Sequence, residues 1–246
     1  MLRSFQDKLF SKWRGDFKGR HFEASMIIQA VSWYLLYALS YRDIEQMYRE
    51  RGTSVDHSTL NRWILKYTPL LERRLRYFKR PHCGSVRIDE TYIRVKGEWK
   101  YLYRAIDKHG TPVDFLLTAR RDREAAKRFF RKAFRNDRLF APSSIGTDEA
   151  ATFPKTIKTM VDEGILPENH EHHVTKALQQ GIENDHYRLK KNIHRSGCFQ
   201  SFNTVRQTLR GYEAMHWLRK GFGWIGEWTI REQNKTPDGH LCPKSS

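Results

Sequence analysis

The sequence predicts a mixed α/β domain preceded by an all-α helix-turn-helix region. In residues 23–79, apolar side chains recur at steps of three and four, and turn-forming residues separate the periodic stretches. From Ser85 onward, three runs rich in Val, Ile, Tyr and Trp follow one another with short turns between them. Shorter apolar runs then alternate with helical patterns. The resulting order, βββαβαβα, is typical of a mixed sheet with helices on its faces.

The composition favours a polyanion as the partner. The chain has 246 residues, with 45 Lys and Arg against 28 Asp and Glu, and its formal net charge is +17. This basic excess is spread over the whole length, as expected for a protein that lies along nucleic acid, although a solvated basic surface is the simpler alternative. The longest apolar run, residues 26–39, is shorter than the roughly 20 residues that cross a bilayer, so no membrane association is expected. Three widely separated cysteines fit a reducing, cytoplasmic location.

Three helices are expected in the N-terminal region. The first covers residues 23–39, and the second begins after Ser40, which forms a capping-box pattern with Asp43. The third covers residues 57–67, and Pro69 introduces a further helical stretch. Two short helices joined by a glycine-containing turn are the helix-turn-helix pattern.

The outer face of the third helix carries polar side chains that can hydrogen-bond to base edges or phosphates in a major groove. The alternative is an ordinary helical hairpin with a solvated face. The candidate DNA-binding residues on this face are Ser58, Thr59, Asn61, Arg62 and Lys66.

The second region is expected to begin with an antiparallel meander of three strands. These strands cover residues 85–96, 98–107 and 113–119. The elements expected after them are a helix over 123–135, a strand over 144–147, a helix over 153–163, a strand over 172–175 and a helical region over 181–220, interrupted near 196–197.

Acidic residues recur at positions that suit a metal site. Asp89 lies within the first strand, Asp148 ends the fourth, and Glu183 lies in the first turn of the late helix. Lys190 follows Glu183 by seven positions and shares its helical face, whereas Asp185 is rotated roughly 200° away. Each acid alone is more readily explained as a turn cap or as a partner of the helix dipole. Their order and context favour a site in which carboxylates hold two Mg²⁺ ions.

These segments resemble the signature of DDE transposases, and more specifically that of the IS-six family of bacterial insertion sequences. The resemblance rests on Arg-Ile-Asp-Glu-Thr-Tyr at 87–92, Gly-Thr-Asp-Glu-Ala at 146–150 and Glu-Asn-Asp-His-x-x-Leu-Lys at 183–190. Further similar segments lie, in the expected order, at 17–22, 40–43, 55–63 and 99–107. Two departures are the leader over residues 1–16 and Glu149, which stands where a basic residue is common among relatives.

The resemblance implies an RNase H-like catalytic domain of the retroviral integrase type. It implies that Asp89, Asp148 and Glu183 are metal ligands and that Lys190 contacts DNA. It also implies two Mg²⁺ ions, for which Mn²⁺ substitutes, and a homo-oligomer assembled on DNA. The N-terminal helices would bind the terminal inverted repeats, and the products would be cointegrates. The expected organisation is a leader (1–22), a helix-turn-helix domain (23–80), a catalytic domain (85–220) and a C-terminal tail (221–246).

Other candidate sites are weaker. His170, His172 and His173 suggest zinc, but neighbouring residues of a strand point to opposite faces and no cysteine is near in sequence. Trp99 and Tyr103, like Tyr101 between them, could stack on bases, although aromatic residues in strands usually belong to the core. The sequence has neither a P-loop nor a Rossmann glycine fingerprint.

The function expected first is that of a Mg²⁺-dependent transposase, which nicks element ends and transfers them to target DNA. A sequence-specific DNA-binding regulator without catalysis and an RNase H-like nuclease are the alternatives. A regulator needs no set of metal-binding carboxylates, and a nuclease needs no sequence-reading helix.

Overall fold

A computed structural model describes most of the chain between residues 16 and 220. The described residues are 16–19, 21–76, 82, 84–134, 141–148, 150, 152–174, 180–195, 199 and 201–220. The expected tail and residues 1–15 of the leader lie outside them. No helix in this part of the chain is long and apolar enough to span a bilayer.

Three helices form the N-terminal region: α1 (Ala24–Leu36), α2 (Tyr41–Arg49) and α3 (His57–Arg76). The expected capping box at the start of α2 is confirmed. The backbone N–H of Asp43 donates to the Ser40 hydroxyl at 3.2 Å, and the Ser40 N–H donates to the Asp43 carboxylate at 2.8 Å. The pair satisfies two donors that the first turn of a helix leaves free.

The third helix is longer than the sequence predicts. The expectation that it ends at Tyr67 and that Pro69 starts a new stretch is wrong, because α3 continues through Pro69 without a break. Proline removes one backbone hydrogen bond from a helix. Side chains at helical spacing on both sides of it are buried, at Tyr67, Leu71 and Leu75, and this continuous apolar stripe holds α3 together.

The sheet has five strands in the order β3-β2-β1-β4-β5, and the expected RNase H-like mixed α/β fold is confirmed. β1, β2 and β3 form the antiparallel meander, while β4 runs parallel to β1 and β5 parallel to β4. The strands are β1 (Ser85–Val95), β2 (Glu98–Asp107), β3 (Pro112–Thr118), β4 (Ser144–Thr147) and β5 (Glu171–Val174). The helices that follow are α4 (Arg123–Phe134), α5 (Thr152–Asp162), α6 (Gln180–Arg195) and α7 (Phe202–Arg219).

Alternate residues of β1 enter two different cores. Val86 and Ile88 pack with α4 and α5, whereas Ile93 and Val95 pack in a cluster that contains residues of α6 and α7. Because side chains alternate along a strand, Asp89 faces the same side of the sheet as Ile93. The sheet therefore directs Asp89 towards α6.

The N-terminal helices share the second of these cores with α7. Gly211 of α7 lies so close to α1 and α3 that a Cβ atom there would be 2.3 Å from Thr68 Cγ2 and 2.9 Å from Leu35 Cδ2. Upstream of α1, Phe17 stacks on Tyr67 with ring centroids 4.8 Å apart. Phe17, which belongs to the expected leader, is therefore packed against the N-terminal helices. The boundary between the two expected domains at residues 80–85 stays a prediction.

Candidate active site

Asp89 and Asp148 lie level with each other at neighbouring strands. The parallel register pairs Ser85 with Ser144 and Arg87 with Gly146, a constant offset of 59 positions. Asp89 lies two residues further along β1, and Asp148 directly follows β4 at the same offset. The two acids therefore lie at the same level of the sheet on adjacent strands.

His186 of α6 contacts Asp89 directly. Its Nδ1 lies 3.3 Å from Asp89 Oδ2, while Oδ1 of the same carboxylate accepts the N–H of Glu90 at 2.7 Å. Burial lowers the pKa of His186, and the nearby carboxylate of Asp89 opposes that effect only in part. His186 Nε2 is buried and has no hydrogen-bond partner among the described residues. A neutral His186 that donates through Nδ1 fits both observations and orients the Asp89 carboxylate.

Glu90, the next residue, is already paired on the opposite face of β1. Its Oε1 lies 2.6 Å from Nε of Arg121. Burial raises the pKa of Glu90, Arg121 opposes this shift, and the charge of Asp148 adds to it. The ion pair distinguishes Glu90 from Asp89, whose carboxylate faces the other side.

Glu183 and Asp185 occupy different faces of α6. Glu183 lies in the first turn and is exposed, whereas Asp185 is 4% exposed and its Oδ2 lies 3.4 Å from Lys220 Nζ. Lys190, on the Glu183 side, is exposed, and its Nζ lies 4.5 Å from the ring centroid of Tyr92. The burial of Asp185 beside a lysine indicates a structural role for this acid.

The carboxylates have the chemistry that a hard divalent cation prefers. No three His, Cys, Asp or Glu side chains in the described ranges are close enough together to hold a metal ion, so Asp89, Asp148 and Glu183 do not form one site in this conformation. Like charges at a shared site repel one another until a cation compensates them. The three acids therefore fit Mg²⁺ by their chemistry and not by their arrangement in this conformation.

At the start of α3, Asp56 caps the helix by binding Ser58 and Thr59. Asp56 accepts their backbone N–H groups at 2.8 and 3.2 Å and both of their hydroxyls at 3.0 Å. These hydrogen bonds lower the pKa of Asp56 to about 2. The hydroxyls of these two candidate DNA-binding residues are thus occupied by the cap.

The side chains of the other candidate DNA-binding residues on α3 are not tied up in the helix cap. Arg62 is exposed, and its Nη2 donates to Thr59 Oγ1 at 2.9 Å. Asn61 is half-buried, while Lys66 is exposed. Arg62 and Lys66 line a cavity of about 400 Å³ together with His21 and Phe22. The helix therefore presents a basic face beside an aromatic recess.

The three neighbouring histidines each have a separate partner. His172 Nε2 lies 2.8 Å from Thr147 Oγ1, and His173 Nε2 lies 3.2 Å from a carboxylate oxygen of Glu171. His170 Nδ1 lies 2.8 Å from the carbonyl oxygen of Pro167.

A buried ion pair behind the site was missed by the sequence interpretation. Arg104 of β2 is 1% exposed and Glu213 of α7 is 3% exposed, and Arg104 Nε donates to Glu213 Oε1 at 2.8 Å. An arginine between apolar neighbours in the run Leu102–Ile106 was the available signal. Its partner lies 109 positions away, so no local pattern could have identified it.

Comparisons of the sequence with known proteins indicate one family. A family model described as "DDE domain" matches residues 83–222. The transposase for insertion sequence-like element IS431mec of Staphylococcus aureus (strain N315) is 38% identical over 207 residues, covering 83% of this chain and 88% of the relative. The transposase for insertion sequence element IS257 in transposon Tn4003 of Staphylococcus aureus shows the same identity and coverage.

Two solved structures share a more distant similarity. A cryo-EM structure of a simian T-cell lymphotropic virus intasome is 13% identical, with a TM-score of 0.43, covering 68% of this chain and 60% of that one. The crystal structure of the Mos1 Strand Transfer Complex is 12% identical, with a TM-score of 0.39, covering 90% and 87%.

Proposed function

The chain belongs to the DDE transposases of the IS-six family, and we propose that it binds the terminal inverted repeats of its own element and joins them to target DNA. Membership of this family favours an enzyme over a DNA-binding regulator without catalysis. We further propose that the products are cointegrates, formed by strand transfer without full excision of the element.

In this proposal Asp89, Asp148 and Glu183 hold the divalent ions. The observation that carries it is the parallel register, which puts Asp89 and Asp148 at the same level of neighbouring strands. Asp89 also contacts His186 of the helix that bears Glu183. Two Mg²⁺ ions, or Mn²⁺ in their place, supply activation of the attacking oxygen and stabilisation of the leaving oxygen when bound. Glu183 reaches the other two carboxylates through a shift of α6, because the three acids are not grouped in this conformation.

Two further residues of α6 orient a carboxylate and bind the DNA. His186 holds the Asp89 carboxylate through Nδ1, and Lys190 binds a phosphate of the DNA strand. In the first step water attacks the phosphodiester at the element end, and the bond to the 3′ oxygen breaks to leave a 3′-OH. In the second step this 3′-OH attacks a target phosphodiester and displaces the 3′ oxygen of the target strand. The number of phosphodiester bonds is conserved in the second step, so no external energy source is needed.

The N-terminal helices would read the inverted repeats. Arg62 and Lys66 are exposed cations in the first half of α3, and Arg62 can reach a guanine edge with two donors. Because an element has two ends and each needs its own set of carboxylates, we propose that at least two copies of the chain assemble on DNA. A homo-oligomer also brings both ends to one target.

The test is a nicking and strand-transfer assay with the purified protein. Labelled duplexes that carry the inverted repeats flanking the reading frame are incubated with Mg²⁺ and a target plasmid. We expect 3′ nicks at the element ends and joined products, and no products when EDTA replaces the metal. Binding without nicking in Mg²⁺ or Mn²⁺ would identify a regulator. Cutting that ignores the ends and gives no joined product would identify a nuclease.

A further inference from the structure

Two aromatic side chains of the β1–β2 hairpin are exposed beside the candidate site. Tyr92 is 52% exposed and Trp99 is 53% exposed, whereas Tyr103 on the same sheet is 1% exposed and belongs to a core. We refer to Tyr92, Trp99, Arg94 and Lys190 together as the aromatic patch. Among the aromatic residues of β2 that could stack on bases, Trp99 is the one that the fold leaves open to the surface.

The patch is an ordered arrangement of rings and cations. The rings of Tyr92 and Trp99 meet edge to face, with centroids 5.0 Å apart and an interplanar angle of 83°. The guanidinium of Arg94 lies 5.7 Å from the Trp99 centroid, and Lys190 Nζ lies 4.5 Å from the Tyr92 centroid. A cation therefore covers part of each ring and leaves the rest accessible.

The charge around the rings favours an anionic partner. Arg94 and Lys190 flank them, and the exposed Lys96 lies at the turn of the hairpin. The nearby acid Glu98 is paired with Lys100, whose Nζ lies 2.7 Å from its carboxylate. Exposed aromatic faces next to cations suit a ligand that has both flat rings and negative charge, which is the chemistry of a nucleic acid strand.

The patch borders the carboxylates of the candidate active site. Tyr92 follows Asp89 by three positions on β1, about 10 Å along the strand, and the alternation of side chains places its ring on the opposite face of the sheet. Lys190 lies four positions after His186, about one turn of α6 beyond the residue that contacts Asp89. In the described chain, β1 pairs with β4 only at residues 85–87, and Lys190 of α6 extends past this edge of β1 to the Tyr92 ring. A DNA strand that runs from Asp89 past Lys190 around the edge would bring its next nucleotides to the rings.

We propose that Tyr92 and Trp99 stack on unpaired bases beside the reacting phosphate, while Arg94 and Lys190 bind phosphates of the same strand. This inference rests on the proposed function, because it takes the DNA at the carboxylates as given. Bases in a duplex are already stacked on both faces, so only a base that has left the helix can lie on an aromatic ring. The patch therefore selects DNA ends whose last base pairs have opened.

The experiment compares an opened end with a closed one, using the full chain in Ca²⁺ so that binding is measured without the reaction. The probes are a duplex inverted-repeat end and the same end with three unpaired terminal nucleotides that include 2-aminopurine. The wild type is expected to bind the opened end roughly 5- to 150-fold more tightly, as stacking of one base allows. Its binding should also quench the fluorescence of 2-aminopurine.

Four variants and a control complete the design. Tyr92→Ala and Trp99→Ala are expected to lose the preference and the quenching while binding the closed duplex as the wild type does. Tyr92→Phe and Trp99→Phe should retain both, because a phenyl ring still stacks. Tyr37→Ala, which removes a 48% exposed ring at the end of α1, should change neither measurement.

Equal binding of opened and closed ends by the wild type would overturn the inference. So would an unchanged preference in both alanine variants, or an equal loss on both probes. The proposed function is judged separately by nicking in Mg²⁺. A wild-type protein that never nicks but still prefers the opened end contradicts the reaction and supports the stacking site.

Discussion

Arg104 of β2 lies directly opposite Asp89 of β1 in the antiparallel ladder, and its guanidinium is turned onto Glu213 of α7. Two nitrogens of Arg104 contact the two carboxylate oxygens of Glu213 at 2.8 and 3.3 Å. The third, Nη1, is buried without a hydrogen-bond partner in the described part of the chain. Because Glu213 neutralises the arginine, the charge of Asp89 stays available for a cation.

Removing one partner of this pair should destabilise the protein strongly. Glu213→Leu leaves an uncompensated buried charge on Arg104, for which we expect a loss of about 3–5 kcal/mol in the free energy of unfolding. The double variant Arg104→Met/Glu213→Leu should recover most of that loss, because it buries no charge. Urea unfolding of the single and double variants measures both effects. A double variant as unstable as Glu213→Leu would contradict this account.

Removing the charge of a candidate metal ligand should abolish the reaction and spare DNA binding. Asp89→Asn, Asp148→Asn and Glu183→Gln almost preserve side-chain shape but weaken the hold on divalent ions. Nicking and strand transfer are measured beside binding of the inverted-repeat end. Binding should persist, since it depends on the N-terminal helices and the distributed basic residues.

Asp185→Asn is the matched control for these variants. Asp185 is buried against Lys220, so we expect lower stability with nicking retained. Full activity in Glu183→Gln together with inactivity in a folded Asp185→Asn would overturn the assignment of the third ligand.

Arg62→Ala should reduce sequence preference in DNA binding. If Arg62 contacts a guanine with two donors, the ratio of affinities for cognate and random duplexes should fall roughly 5- to 150-fold. Fluorescence anisotropy with both duplexes at one fixed salt concentration gives the ratio. An equal loss on the two duplexes would show that Arg62 binds phosphate only.

Gly211→Ala should loosen the contact between α7 and the N-terminal helices. The added methyl group would overlap with Thr68 Cγ2, and overpacking of this kind costs about 1–3 kcal/mol of stability. Thr68→Ala removes the obstructing atom, so the double variant should be more stable than Gly211→Ala alone. Thermal unfolding of the three variants measures this. A double variant no more stable than Gly211→Ala would show that the contact with Thr68 is not the source of the instability.

Stability should fall as the pH falls below about 6.5, the ordinary value for histidine. Burial lowers the pKa of both His186 and His216. Between each lowered pKa and the ordinary value, the unfolded chain binds more protons than the folded one, so the free energy of unfolding increases with pH. Denaturant unfolding from pH 5.5 to 8 should show this slope. His216→Gln should reduce it, whereas replacing the exposed His109 with Gln should leave it unchanged.

Patterns set by near neighbours were predictable from the sequence. The capping box of Ser40 and the alternation that turns Asp89 away from Glu90 depend on residues within a few positions. The passage of α3 through Pro69 depends instead on packing against α7, which no local pattern records. The exposure of Tyr92 and Trp99 likewise depends on what packs around the hairpin, so residue type alone left Trp99 open between a core position and a base-stacking one.

The shared packing of α3 and α7 would fix, in the proposed reaction, the distance along the DNA between the recognised sequence and the cut bond. Gly211 brings the helix that bears Arg62 into the same core as the sheet that bears Asp89. In the proposed reaction, a duplex bound by that helix would meet the carboxylates of the same copy at a constant number of base pairs from the recognised sequence. The distance from the recognised sequence to the cut bond is then a property of the protein, and every end of the element must conform to it.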